Sequence, residues 1–176
     1  MIPDGTQTTI RGRAHFLLCT FWLAQAQALA GQIEQAAGQS IKEIFAEHGE
    51  RYFRDGERKV IARLLESGPQ VLATGGGIVA EAATYEVLLA SFFTIWLKAK
   101  PSIMFERVRA QHDARIASAH MRSEAINNIA RTLEARQHLY ELAHAAYDNT
   151  EKSVEDATPE IMALIPEVMR RGKPSA

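Results

Sequence analysis

The chain has 176 residues, 47% hydrophobic and 23% charged, which suits one domain with its own core. Twenty basic and 21 acidic side chains leave a net charge of −1, so bulk electrostatics offer no case for nucleic-acid binding by this chain alone. The single cysteine, Cys19, excludes an internal disulfide, lacks the companions of a metal site and fits a reducing cytoplasm.

Residues 1–14 are polar and irregular. Residues 15–30 are apolar and fit either a helix or a buried strand; periodicity does not decide. This run is short for a membrane span and is broken by Gln25 and Gln27. In outline it also fits a signal peptide, with Arg11 and Arg13 ahead of it and Ala26-Gln27-Ala28 behind, although the later segments read as cytosolic. Ser40-Ile41-Lys42-Glu43 is a capping box that opens a short helix ending near His48-Gly49. A second helix is predicted from Glu50 to Leu65, with Phe53, Val60, Ile61, Leu64 and Leu65 on its apolar face and Gly68-Pro69 after it. Val71-Leu72-Ala73-Thr74 reads as a strand, followed by Gly75-Gly76-Gly77 and a helix over 81–90. Residues 92–97 form a continuous apolar run, as a strand buried on both faces should. Pro101 suits the first turn of the next helix, and a polar stretch over 111–122 carries Arg115 and Arg122. Ser123 is the expected cap of a long helix to about His144. Residues 147–150 read as a short strand or turn, and 158–171 as a terminal helix. Strands separated by helices predict βαβ units, a short parallel sheet and an α/β fold. The expected organisation is a divergent N-terminal segment over 1–30, one domain over 31–171, and a frayed tail over 172–176.

Three glycines in a row bury no side chain and forfeit backbone order. At the C-terminal end of a parallel strand they let backbone N–H groups approach a ligand; the plainer reading is a tight strand-to-helix turn. Three arginines bear on that choice. Arg54 follows Phe53, Arg136 lies on the helical stripe Ile129, Leu133, Arg136, Tyr140, and Arg115 lies between helices. A guanidinium in line with an apolar stripe either snorkels to water or finds an anion. Arginines converging on a glycine-lined strand end would hold a carboxylate or phosphate bidentately. The six histidines show no metal-ligand spacing, and the carboxylates Glu34, Glu43, Glu47, Glu50, Asp55 and Glu57 read as a solvated helix face. Trp22 and Trp96 read as core.

Together these segments resemble shikimate kinase, over roughly residues 31–152. The stretch from Ile33 to Arg58 is similar to the family's second-helix region, and "VLATGGG" (71–77) to its strand and substrate-binding glycines. "LEARQHLY" (133–140) is similar to the helix with a second carboxylate-holding arginine, and "YDNT" (147–150) to the final strand. The resemblance implies a P-loop-kinase-like α/β/α sandwich of three layers. It implies substrate-binding roles for Arg54, Gly75, Gly76, Gly77 and Arg136, with Arg115 near the nucleotide. It implies ATP and Mg²⁺ if the chain is catalytic.

The catalytic half departs from the family's pattern. A Walker A loop reads G-x-x-x-x-G-K-[ST]. The nearest match is Gly5-Thr6-Gln7-Thr8-Thr9-Ile10, with Gln7 where lysine is wanted, Thr8 after it, no preceding strand and too few glycines. The family's Asp-x-Asp falls on Ala28 and Ala30, and its lid motif is reduced to Arg115-Ile116-Ala117. Phosphoryl transfer is almost wholly positioning and electrostatic stabilisation, so these losses together imply little kinase activity, and no catalytic residue is assigned. A looser likeness, over 83–101, 107–115 and 123–136, is to the shikimate-kinase-like sensor domain of bacterial regulators of aromatic degradation, which binds an aromatic acyl-CoA. Three readings stay open: a non-catalytic domain binding a small carboxylate or an aromatic acyl-CoA, a divergent shikimate kinase, and a remnant or interaction partner without a ligand. The last expects residues 15–21 to fail as the central strand, leaving open sheet edges. The oligomeric state is left undetermined.

Overall fold

The computed structural model describes residues 15–19, 27–67, 70–112 and 119–167. Five strands form one parallel sheet: β1 (His15–Cys19), β2 (Gln27–Ala28), β3 (Gln70–Thr74), β4 (Phe93–Lys98) and β5 (Ala145–Asp148), in the order β2-β3-β1-β4-β5. The ambiguous apolar run therefore begins as a strand, and β1 lies at the centre of the sheet. Its register sets Phe16 opposite Val71 on one side and Phe93 on the other. Sheet edges would have stayed open had this run not supplied the central strand; it supplies it.

Helices close the layers: α1 (Leu29–Ala37), α2 (Ile41–Glu66), α3 (Ala82–Ser91), α4 (Pro101–His112), α5 (Ala119–Tyr140) and α6 (Val154–Leu164). One core cluster joins Leu29, Ile33, Ile44, Ile61, Leu72, Leu88 and Tyr140, drawn from α1, α2, β3, α3 and α5. The other lies on the opposite sheet face, where Phe93, Ile95 and Leu97 of β4 meet Ala157 and Ile161 of α6. Ile95 and Leu88 are fully buried, and each such side chain contributes about 1.5–3 kcal/mol relative to exposure. Alternation along β4 thus serves two cores at once, which is why its sequence reads as an unbroken apolar run.

The capping box at Ser40 forms in both directions. The Ser40 hydroxyl accepts from the Glu43 N–H at 3.3 Å, and the Glu43 carboxylate accepts from the Ser40 N–H at 2.8 Å. The two helices expected on either side of Gly49 run on as α2, but Gly49 itself is not helical, at φ 77° and ψ 178°. That backbone region is open essentially only to glycine. The chain thereby kinks between two helical segments, as expected, and the second carries Phe53, Arg54 and Glu57.

Three boundaries differ from expectation. α5 starts at Ala119 rather than Ser123 and stops at Tyr140, four residues before His144. His144 is held instead by β4: its Nδ1 accepts from the Thr94 N–H at 3.1 Å and lies 2.7 Å from the Thr94 hydroxyl. β5 occupies 145–148 rather than 147–150. α6 starts at Val154 because Ser153 caps it, accepting from the Asp156 N–H at 3.1 Å. It stops at Leu164 because Pro166 disfavours a helical Ile165, whose ψ is 127°. The expected tail, 172–176, lies outside the described residues.

Two expected outcomes test this local reading. Gly49→Ala should lower the unfolding free energy by about 1–3 kcal/mol. Gly31→Ala, in α1 with open space around it, should raise it by about 0.5–1 kcal/mol. Denaturant melts that rank the two variants the other way would contradict the assignment of Gly49 as the turn. The second outcome concerns His144, whose pKa burial lowers from its ordinary value. Its neutral Nδ1 acceptor is present above the unfolded value of about 6.5 and is lost as pH falls through the lower folded value. The stability advantage of the native chain over His144→Gln should therefore shrink on acidification from pH 7.5 to pH 5. A constant gap across that window is the contrary result.

Candidate acid-binding site

The site grows from the C-terminal end of β3. Thr74 is buried, and Gly75, Gly76 and Gly77 then lead into a short 3-10 turn, Ile78–Ala80. The Ile78 N–H reaches the Gly75 carbonyl at 3.2 Å, so the strand reverses at once. The three glycines are not equivalent. A Cβ on Gly76 would lie 2.9 Å from the Tyr140 hydroxyl oxygen, and one on Gly77 would lie 3.2 Å from Nη2 of Arg54. A Cβ on Gly75 would meet nothing within 4 Å. Gly76 and Gly77 are glycines because two helices press on them; Gly75 faces open space.

Arg54 is the first of those contacts. Its guanidinium lies 5.2 Å from the centre of the Phe53 ring, and its side chain keeps only 16% exposure. Nη1 donates to Glu57 at 2.6 Å, and Nη2 and Nε donate to Glu50 at 3.0 and 3.3 Å. The spacings of three and four put all three side chains on one helix face. Burial opposes the Arg54 charge, but the two carboxylates outweigh it and hold the guanidinium pKa above its ordinary value. For Glu57 the balance runs the other way. Burial is the larger influence and pushes its carboxyl up, against the pull of Arg54. Glu57 is thus the pH-sensitive member of the pair. The reading of Glu57 as part of a solvated face is corrected here: it is buried against Arg54, whereas Glu50 accepts from Arg54 and stays exposed, as expected.

Tyr140, the last residue of α5, is the second contact. Its hydroxyl donates to the Gly76 carbonyl at 2.7 Å, and its ring stacks on Trp96 at 5.3 Å. Arg136 stands one turn earlier on the same face of α5. It is half-buried, with no hydrogen bond or ion pair among the described residues. α2 and α5 thus bring Arg54 and Tyr140 onto the glycine turn, with Arg136 one helical turn away. Tyr140 was legible as part of an apolar stripe, but nothing in its spacing marked it as the residue that docks α5.

Gln7, Thr8 and Arg115 lie outside the described residues. In sequence order residues 5–10 precede β1, whereas a Walker A loop follows its strand. Only residues 20–26 separate β1 from β2. A parallel crossover with a helix takes about a dozen residues or more, and the Walker A motif alone takes eight positions. Ala28 ends β2 and Ala30 lies in the first turn of α1, so methyl groups stand where the resemblance expects aspartates. Among the described residues no grouping of three or more His, Cys, Asp or Glu could hold a metal ion. At Ala28 and Ala30 no side chain can ligate Mg²⁺. No helix among the described residues is long and apolar enough to cross a membrane.

A five-stranded parallel sheet in this order, with helices on both faces and a glycine turn at its C-terminal edge, defines a P-loop-kinase-like α/β domain. Solved structures share that architecture. Shikimate kinase from Bacteroides thetaiotaomicron aligns with a TM-score of 0.73 at 22% identity, covering 87% of this chain and 97% of its own. Shikimate kinase from Acinetobacter baumannii, solved in complex with shikimate, aligns at 0.69 and 20% identity, covering 88% and 93%. The family profile described as shikimate kinase matches residues 30–166. Shikimate kinase of Nitrobacter winogradskyi is 38% identical over 98% of this chain and 77% of its own length. The chain belongs to the shikimate kinase family. That of Zymomonas mobilis is 48% identical over 51% of each chain, and that of Bradyrhizobium diazoefficiens 43% identical over 62% of this chain and 51% of its own. The matched region therefore spans about half the length of those two relatives.

The steric asymmetry of the glycines is testable. Gly76→Ala should cost about 1–3 kcal/mol by overpacking against Tyr140. Gly75→Ala should stay within about 0.5 kcal/mol of the parent in stability. Equal losses in a melt would refute the docking of α5 on Gly76.

Proposed function

We propose that this domain binds a small carboxylic acid of the shikimate type at the Arg54–Gly76–Gly77–Arg136 edge and does not transfer phosphate. The observation that carries the reading is a contrast within one sheet edge. Arg54 is held in place at the glycine turn by two carboxylates, and Arg136 is half-buried with no ion pair or hydrogen bond among the described residues. In sequence only seven residues lie between β1 and β2, and Ala28 and Ala30 stand where the resemblance expects the metal-binding aspartates. A carboxylate is the simplest anion that satisfies two guanidinium groups, because each can present a planar pair of donors. The relative from Acinetobacter baumannii is solved with shikimate, which supports the same class of ligand here. An aromatic acyl-CoA is the other ligand considered, since a sensor that kept its acid site would respond to the acid or its ester.

A catalytic reading, in which the chain is an ATP-dependent shikimate kinase, draws its support from the Nitrobacter relative, which matches across nearly the whole chain. One set of measurements separates the two. Thermal melts are recorded with shikimate, with benzoyl-CoA and with ATP–Mg²⁺. A saturable shift with shikimate or the ester, and none with nucleotide, is the expected result. Nucleotide-dependent stabilisation, or turnover of ATP with shikimate, would overturn the proposal.

Arg136→Ala is the sharper variant. Removing a charge-assisted hydrogen bond costs about 1.5–3 kcal/mol of binding, roughly 10- to 150-fold. Because Arg136 has no partner to strand, its melting temperature without ligand should be unchanged. Arg54→Ala should weaken binding as well, but it leaves Glu57 buried and alone, so it should also destabilise the apoprotein. An Arg136→Ala variant that binds shikimate normally would remove this arginine from the site.

A further inference from the structure

We infer that the cleft between α4 and α5 is a second ligand site, which takes an α-amino acid with a large apolar side chain. The cleft encloses about 310 Å³ beside the C-terminal end of β4, at the lower end of the roughly 300–1,000 Å³ common for small-molecule pockets. Its apolar lining is Trp96, Met104 and Leu133, from β4, α4 and α5. It shares no residue with Arg54, Gly76, Gly77 or Arg136, so it stands or falls separately from the acid site.

The charges of the cleft decide the ligand. Two ionised side chains line it, Lys98 on the β4 side and Glu134 on α5. Neither makes an ion pair or hydrogen bond among the described residues, and they do not bridge each other. The Lys98 ammonium rests 4.3 Å from the centre of the Trp96 ring. An exposed cation–π contact contributes about 0.5–1 kcal/mol, less than the 1.5–3 kcal/mol of a hydrogen bond to a charged group. A carboxylate would therefore compete well for the ammonium. Glu134 offers an acceptor to a second, cationic group of the same ligand. Gln137 also lines the cleft, and its amide donates an N–H to Glu141 at 2.7 Å. One cation, one anion and an apolar lining match a zwitterion with an apolar side chain. A plain carboxylate would leave Glu134 unanswered and place two negative charges in one cleft.

The lining can adapt to a bulky side chain and also hold it. Met104 is flexible and polarisable. Trp96 is fixed from behind by its stack on Tyr140. That stack also makes the site readable, because the chain has two tryptophans and only Trp96 lines the cleft.

The test is a titration of Trp22→Phe followed by Trp96 fluorescence, with calorimetry on the unaltered chain as the second measurement. The probes are L-phenylalanine and L-leucine, with 3-phenylpropionate and phenethylamine as analogues that each lack one charge. Saturable binding of at least one amino acid is expected, weaker by about tenfold or more for either analogue and for Lys98→Ala or Glu134→Ala. Ala130→Phe, which fills the cleft, should abolish the amino-acid signal and leave any shikimate response unchanged. The inference is overturned if neither amino acid saturates at about 10 mM, ten times the concentration that half-fills a millimolar site. It is equally overturned if 3-phenylpropionate binds as tightly as phenylalanine, or if the charge variants bind unchanged.

Discussion

The hydrogen bond from the Tyr140 hydroxyl to the Gly76 carbonyl organises the ligand-facing half of this domain. It closes only because Gly76 has no Cβ, and it fixes the end of α5 against the end of β3. From that anchor the rest of α5 follows by helical geometry. Arg136 lies one turn back, and Leu133, Glu134 and Gln137 face the cleft beside β4. The chain beyond Tyr140 must then turn at once, which brings His144 onto Thr94 and starts β5. A single neutral hydrogen bond contributes only about 0.5–1.5 kcal/mol. Its importance here is positional, since the stack of Tyr140 on Trp96 and the burial of its ring add to the same contact.

Around the acid site, charge is arranged in two different ways. Arg54 is preorganised: two carboxylates and an aromatic ring hold it, and little side-chain freedom is left to lose when an anion arrives. Arg136 has no ion pair or hydrogen bond among the described residues, so none of these orders it in advance. Glu57 couples the two regimes, because burial raises its pKa while Arg54 opposes that rise. An anion drawing Arg54 away from Glu57 would favour the protonated carboxyl still further, which links binding at this edge to proton uptake.

The proposed departure from a phosphotransferase rests on chain length between strands as well as on side-chain chemistry. The sheet keeps all five strands and their order. The connection from β1 to β2 is where a phosphate loop and its helix would belong, and it is too short for both. Acid binding and phosphoryl transfer depend on neighbouring but separable parts of one sheet edge. The glycine turn of β3 and the two arginines depend on α2 and α5, and neither helix depends on the β1–β2 connection for its position.

The sequence by itself determined the local elements whose signals are steric or periodic. The capping box at Ser40, the turn at Gly49, the apolar run of β4 and the glycine triplet after β3 are each read from a few adjacent residues, because their causes lie within one turn or one strand. It also determined that Arg54 and Arg136 were the arginines to watch. Tertiary structure alone decided three things. The apolar run after residue 14 became a central strand because β3 and β4 pair with it, a choice that periodicity does not contain. Glu57 became a buried partner rather than a solvated one because α2 packs its Arg54 face against the glycine turn. α5 ended at Tyr140 rather than His144 because a hydroxyl found a carbonyl 64 positions away in the chain. Contacts between residues distant in sequence leave no local pattern, so only the folded chain could choose among them.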